Sequence, residues 1–399
     1  MNVLVTHPGR QHSHQLAVAL QDRTALAGYW TGVPAADPSK MGPVGTLFAR
    51  ISPQPTVGLP ARLVRHNVIM PVVRRLAEAV FAPPRVVDLR HRAVAWFDVW
   101  AAHRLPPNLD AVVAYENGAR DTFRAAKKRG VTTILDAASF HHGWQDAFFD
   151  PVESASAHRR INERKEEEIQ LADHVLTVSE LARQSYIDGG VPPDRVTSVP
   201  MGADLSDFTP RRTDTTTSSD PFTFLFAGHA DRRKGVDLLL DASARLAQDP
   251  GISHRVQFAG GRDEALFDGT QAPIERLGYL NRRDLAEAFR QADCLVLPSR
   301  HDSFGRVVVE ALATGLPVLV SEHVGAREVV EKGSTGWVVS AEDVDALADR
   351  MRWCIEHPDE VRAMRDAAIE SARDYSWTAY RNRVVEVIEE VVRPSAYLA

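Results

Sequence analysis

Residues 294–321 read CLVLPSRHDSFGRVVVEALATGLPVLVS. A short apolar run ends at a polar turn, a glycine opens a segment of helical period, and a Gly-Leu-Pro step leads into a second β-branched run. Two apolar runs joined by a helix rather than a tight turn lie parallel in a sheet, with both faces covered. This is a βαβ unit, and the turn after its first strand is where open sheets of this kind bind ligands.

The same alternation continues in both directions. Upstream, strands are expected over 3–6, 111–115, 132–136 and 174–178, with helices over 14–21, 120–129 and 159–171. Residues 34–104 are less regular, rich in Pro, Arg and Trp, and read as a region that carries specificity or partner contacts. Residues 208–221, FTPRRTDTTTSSDP, are polar with proline near both ends and read as an interdomain linker or long loop. Beyond it, strands are expected over 222–227, 255–259, 273–277, 293–297 and 317–320. Helices are expected over 235–248, 283–291, 305–314 and 326–331, followed by a long helical tail from Val344. The expectation is an α/β chain of two doubly wound, Rossmann-like halves facing a cleft.

Composition narrows the function. The 399 residues are 44% hydrophobic and 25% charged, the balance of a folded soluble protein of about two domains. A net charge of −6 gives no general pull on a polyanion. Nucleic acid is therefore not an expected partner, and any anion must be held by a local cluster. Cys294 and Cys354 are too few for a disulfide framework and lack metal-ligand spacing, which suits a reducing cytoplasm. Met1 runs directly into a strand-like segment without a charged-then-apolar leader, and no stretch nears the ~18 apolar residues that span a bilayer. The stretch from Arg62 to Arg85 is basic and apolar and is a candidate for peripheral contact with the inner face of an anionic membrane. A solvated helix interrupted at Pro71 is the plainer alternative.

Three strand-to-helix turns in the second half carry charge. Gly228-His-Ala-Asp-Arg-Arg-Lys-Gly235 puts Arg233 and Lys234 at a helix start, where cations and free N–H groups suit a diphosphate. A solvated basic turn is the alternative. In residues 298–310, Asp302 precedes the helix and Glu310 lies about one and a half turns into it. Carboxylates on either side of a bound anion would take hydroxyls, a sugar at one end and a ribose at the other. The alternative is an Asp helix cap with an exposed Glu. In Ser321-Glu-His-Val-Gly325-Ala-Arg-Glu328, Glu328 sits one turn into a helix and could orient Lys234, or be plainly exposed. Each signal is weak alone; at successive strand ends of one half they point to one anion site.

Metal chemistry finds little support. His7, His12 and His14 are close in sequence, but His12 and His14 would face different sides of a helix. A metal-held diphosphate wants a carboxylate cluster at a strand end. The Asp-x-Asp at Asp343 and Asp345 opens a helix, where acids act as caps. No metal or other cofactor is expected.

Residues 302–339, DSFGRVVVEALATGLPVLVSEHVGAREVVEKGSTGWVV, resemble the E-x7-E region and following loop of the retaining glycosyltransferases of family 4, which have the GT-B fold. Residues 233–242, RKGVDLLLDA, are similar to that family's basic donor loop. Residues 174–210 resemble its interdomain crossover, and 373–387 its C-terminal helix. The resemblance implies an acceptor domain over 1–205, joined by a returning helix at 378–399, and a nucleotide-sugar domain over 206–377. It implies transfer of a hexosyl group from a UDP- or GDP-linked sugar to a glycan, lipid-linked or small-molecule acceptor, with retained configuration and no metal.

It also implies roles. Arg233 and Lys234 would neutralise the donor diphosphate, with Glu328 bracing them. Glu310 would hold ribose and Asp302 the sugar. Ser303, Phe304 and Gly305 would face sugar and phosphate, and Leu280 would grip the base through main chain. Gly9 would approach the donor, Arg10 would face the acceptor, and His141 would stand near the anomeric carbon. His142 and Glu116 are acceptor-side candidates, a surface histidine pair being the alternative for His141 and His142. The chain departs from the family in carrying Asp302 for the first Glu, His229 where many members have Arg, and Met201 for an Asn. Two alternatives stay open: an epimerase or phosphorylase of the same fold and, motivated by Asp302 and His229, a non-catalytic nucleotide-sugar-binding subunit.

Overall fold

The computed structural model describes residues 1–32, 58–67, 83–148, 154–210 and 221–392. The chain divides into two compact units. Unit 1 comprises Met1–Thr177, Ala182–Val199 and the chain from Arg381; unit 2 comprises Val178–Leu181 and Pro200–Tyr380. The change of unit falls between Val199 and Pro200, six residues before the boundary expected after residue 205.

In unit 1 the described strands are β1 (Val3–His7), β2 (Leu26–Thr31), β3 (Val64–His66), β4 (Ala111–Tyr115), β5 (Thr132–Ala137), β6 (His174–Thr177) and β7 (Val196–Ser198). They pair in the order β3-β2-β1-β4-β5-β6-β7, each pairing parallel. All five residues of β1 are buried, as a strand covered on both faces requires. Helices Pro83–Ala102 and Arg120–Lys127 pack Phe97 and Phe123 against Leu4, Val112 and Leu135 of the sheet.

Unit 2 contains β8 (Phe222–Ala227), β9 (His254–Ala259), β10 (Ile274–Gly278), β11 (Cys294–Leu297), β12 (Val318–Ser321) and β13 (Gly336–Val339). Their order is β10-β9-β8-β11-β12-β13, again parallel. Strand order reverses between β8 and β11, the point at which such a sheet opens a crevice. The turns that leave those two strands are the ones carrying Arg233–Lys234 and Asp302. Helices Val236–Leu246 and Arg306–Ala313 follow them.

Several expectations need correction. Residues 34–104 are not irregular throughout: Pro83–Ala102 is a twenty-residue helix. Strands β2, β3, β7 and β13 and helix Glu180–Asp188 were not anticipated, being short or lacking a clean period. The helix expected over 326–331 is a 3₁₀ segment, Gly325–Val329. The tail is four helices, Val344–Glu356, Pro358–Ala363, Arg365–Ala372 and Trp377–Val392; Pro358 cannot continue the first of them. Phe208, read as linker, is buried with its ring 5.7 Å from that of Phe289, while 211–220 lie outside the described residues. Of the basic stretch from Arg62 to Arg85, residues 68–82 also lie outside them. Among the described residues no helix is long and apolar enough to cross a membrane.

Candidate active site

The second unit's site begins with main chain. Gly235 caps helix Val236–Leu246 at φ +69°, and a Cβ there would lie 2.0 Å from the carbonyl oxygen of Pro298. The turns after β8 and β11 therefore touch backbone to backbone, which only glycine permits. Gly325 does the same for the turn after β12, where a Cβ would lie 2.1 Å from the Ser303 carbonyl. Gly325 donates to the Asp302 carbonyl at 2.8 Å and Ala326 to that of Phe304 at 2.6 Å. Arg300 fastens the basic loop: its guanidinium donates to both Asp237 carboxylate oxygens, at 2.7 and 3.0 Å, and to the Arg232 carbonyl at 2.6 Å. Sequence reasoning missed Arg300; its alternation with Asp237 across 63 residues carries no local signal.

These turns border a cavity of about 840 Å³. Gly305, Arg306 and Val307 line it at the start of helix Arg306–Ala313, whose cap makes no side-chain hydrogen bond. First-turn amides of such a helix lack intrahelical acceptors and carry the positive end of its dipole. Lys234 lines the same cavity, ion-paired with Asp302, both side chains mostly buried. His229, Leu280, Ser303, Phe304 and Glu310 complete the set of expected residues there. Arg233 and Glu328 are not among its lining residues. Arg233 donates to the His301 carbonyl at 3.1 Å, and Glu328 accepts the Glu180 main-chain N–H at 2.8 Å.

At the far end, burial pushes the Glu310 carboxyl up, while Arg306 and Arg282 pull it down. Arg282 lies over the Phe208 ring, 5.1 Å from its centroid, and donates to Asp207 at 3.0 Å. Tyr279 stands on the rim, 89% exposed. The second unit thus offers a charged end, two carboxylates and an apolar wall within one hollow.

The first unit gathers buried ionisable groups at its own reversal point, between β1 and β4. His7 takes the Gly9 N–H on Nδ1 at 2.7 Å and packs on Tyr115 with centroids 4.0 Å apart. Burial lowers its pKa to about 3, so it stays neutral. Gly9 and Arg10 are held through their carbonyls, by Thr31 at 2.6 Å and Ser13 at 2.5 Å. His12 meets Asp136 at 2.8 Å inside the unit. Glu116 is buried, accepts from Ser139 at 2.8 Å, and has its pKa raised by burial.

Glu168 was not anticipated. It accepts main-chain N–H groups of Asn117, Ala119 and Arg120 at 2.6, 3.0 and 3.2 Å and so caps helix Arg120–Lys127. Arg164 pairs with it and with Asp98.

His141 and His142 stack with centroids 4.1 Å apart, their Nε2 atoms 4.0 and 3.7 Å from a Glu166 oxygen. Potential ligand atoms of the three lie within 4.8 Å of one another, a spacing that could hold a metal ion. His141 Nδ1 accepts the Gly143 N–H at 3.2 Å, so in the neutral ring the proton sits on Nε2. Burial pushes the His141 imidazole pKa down, while Glu166 pulls it up.

Residues 207–373 match the family described as glycosyl transferases group 1. The chain is 30% identical over 338 residues to D-inositol 3-phosphate glycosyltransferase 1 of Catenulispora acidiphila, an alignment covering 78% of this chain and 79% of that protein. The chain belongs to the group 1 glycosyltransferases. A further relative, D-inositol 3-phosphate glycosyltransferase of Nocardia farcinica, is 31% identical, but the match spans 51% of this chain and 49% of that protein. Among solved structures, sucrose-phosphate synthase from Thermosynechococcus elongatus superposes with TM-score 0.65 at 18% identity, covering 98% of this chain and 99% of that one. Anabaena HepE, solved in complex with UDP-glucose, gives 0.62 at 17% identity, covering 98% and 100%. The fold of this glycosyltransferase is GT-B. Every second-unit candidate residue lies inside the matched segment; those of the first unit, Gly9, Arg10, Glu116, His141 and His142, lie outside it.

Proposed function

We propose that this glycosyltransferase moves a hexosyl group, with retention, from a UDP- or GDP-linked sugar to a hydroxyl of a small polar, glycan or lipid-linked acceptor. One observation carries the reading: an uncapped helix start and a buried lysine share an 840 Å³ hollow at the reversal point of the second sheet. The diphosphate rests on the amides of Gly305 and Arg306 and on Lys234. Arg233, beside the hollow, adds to the positive field. These groups stabilise charge as the sugar–phosphate bond breaks, electrostatic catalysis by donors already in place. They do the work of a metal ion, so turnover in EDTA equals turnover without it.

Asp302, paired with Lys234 before the donor arrives, turns to the sugar hydroxyls, and Glu310 takes the ribose. The base meets the main chain of Leu280. In the first unit, neutral His141 donates through Nε2 to a sugar or acceptor oxygen, with Gly9, Arg10, Glu116 and His142 nearest the acceptor. The departing phosphate takes the acceptor's proton on the same face. Relatives named for inositol phosphate support a polyol acceptor.

Thermal shift against a panel of UDP-, GDP- and ADP-linked sugars names the donor, because a ligand that binds only the folded state raises its melting temperature. Lys234→Ala lowers turnover about 10²–10³-fold, the cost of losing one preorganised donor. Near-wild-type turnover in that variant rules the diphosphate reading out.

A further inference from the structure

Helix Pro83–Ala102 presents a face that the other described residues of the first unit leave uncovered. Arg85, Arg92, Trp96 and Val99 are exposed, and His103 continues the line just past the helix end. Their spacings of seven, four, three and four put all five in one narrow stripe of a 3.6-residue helix. Trp96 is 47% and Val99 37% exposed, two of the few large apolar side chains left in solvent among the described residues. Ala93, Phe97 and Ala101 on the opposite face fill the core, so the stripe is not a misplaced core edge.

Charge accompanies the apolar pair: Arg85 and Arg92 share its stripe. Along the stripe's flank, a hollow of about 160 Å³ opens toward helix Ala155–Leu171, lined by Asp88, His91, Arg92, Arg120, Arg160 and Arg164. Arg120 and Arg164 spend their charge on Asp121 and Asp98 behind them. Arg92 and Arg160, the outward pair, share one carboxylate, Asp88, at 3.0 and 2.6 Å. A chain of net charge −6 thus keeps a surplus of arginine on the helix face that also exposes a tryptophan.

We propose that this face docks the first unit on an anionic lipid bilayer, with Trp96 and Val99 entering the headgroup layer. The arginines around them meet lipid phosphates, and the hollow at Arg92 and Arg160 receives one. An indole ring with an apolar body and a polar N–H suits that interface, and arginine pairs phosphate through two hydrogen bonds. A nucleic-acid duplex would engage the arginines but leave Trp96 and Val99 without an apolar counterpart. This inference does not depend on the donor reading above.

The full chain is sedimented with vesicles of phosphatidylglycerol and phosphatidylcholine, or of phosphatidylcholine alone. It pellets with the first and not the second. Trp96→Glu with Val99→Glu abolishes pelleting. Arg85→Gln with Arg92→Gln weakens partitioning about thirtyfold, from roughly 1 kcal/mol per basic residue at an anionic surface. Folding of each variant is checked by its melting temperature.

If the glutamate pair unfolds the unit, Val99→Cys carrying an environment-sensitive fluorophore reports instead. Cys294 and Cys354 are buried, so the label is selective. Its emission shifts to the blue on anionic vesicles and stays unshifted with inorganic phosphate or a single-stranded oligonucleotide. Equal binding to both vesicle types, undiminished binding of the glutamate variant, an unshifted label on anionic vesicles, or a blue shift with the oligonucleotide overturns the proposal.

Discussion

The two units solve the same problem with different materials. Each places candidate residues where strand order reverses: Gly9, Arg10 and Glu116 on the turns after β1 and β4, Lys234 and Asp302 on those after β8 and β11. In unit 2 the frame is main chain. Gly235 and Gly325 let three successive turns touch, and side chains such as Lys234 and Asp302 are added to it. In unit 1 the frame is buried charge. Glu168 and Arg164, on a helix some fifty residues away in sequence, and Asp98, on helix Pro83–Ala102, hold the loop after β4. A backbone-built site should fail on adding a methyl group, and a charge-built site on removing a carboxylate.

The largest effect is expected in the first unit. Glu168→Ala removes an acceptor of three amides and strands part of Arg164, costing about 4 kcal/mol of stability, in the range for breaking a buried ion pair. Chemical denaturation measures it, and a loss below that of an ordinary surface change would refute the charge-built frame. Gly235→Ala comes next. A methyl group 2.0 Å from a carbonyl, at a left-handed φ, costs about 3 kcal/mol through strain and overpacking. Its melting temperature should fall without altering the first unit's pH response.

That response is the third test. The folded-state pKa of His7, about 3, lies below its unfolded value of 6.5. Between those values the unfolded chain binds the extra proton, so this contribution to stability is full above pH 6.5 and declines as pH falls toward 3. At pH 5 the loss is about 2 kcal/mol. His7→Gln should flatten stability between pH 7 and 5; an unchanged slope would assign it to other groups. The smallest effect concerns the donor. Glu310→Gln should raise the donor KM about tenfold with little change in turnover, as expected for replacing a charged acceptor by a neutral one.

The same contrast explains what could be read from sequence. A backbone-built site needs glycine at helix starts and cations beside them. Those signals are local, so Lys234, Asp302, Gly305 and Glu310 were legible and meet in one cavity. Strand 222–227 and strand 111–115 were placed residue for residue, because continuous apolar runs bounded by turns leave little choice. The first unit's frame was not legible. Glu168 sits in a run of three glutamates on a mostly polar helix, and nothing local separates it from Glu166 and Glu167. Helix Pro83–Ala102 was missed because its exposed Arg–Trp stripe blurs the apolar period. Arg300 was missed for the same reason as Glu168: its partners are tertiary.

Arg300 has a consequence for the cell. By tying the basic loop to Asp237 and to the Arg232 carbonyl, it fixes the position of the lysine before any nucleotide arrives. A cradle that needs no assembly grips whatever carries the shared diphosphate, spent carrier as readily as loaded carrier. Under the function proposed above, throughput would then be set by how fast the discarded nucleoside diphosphate is cleared by a hydrolase or a recycling kinase. The enzyme would slow itself wherever that clearance lags.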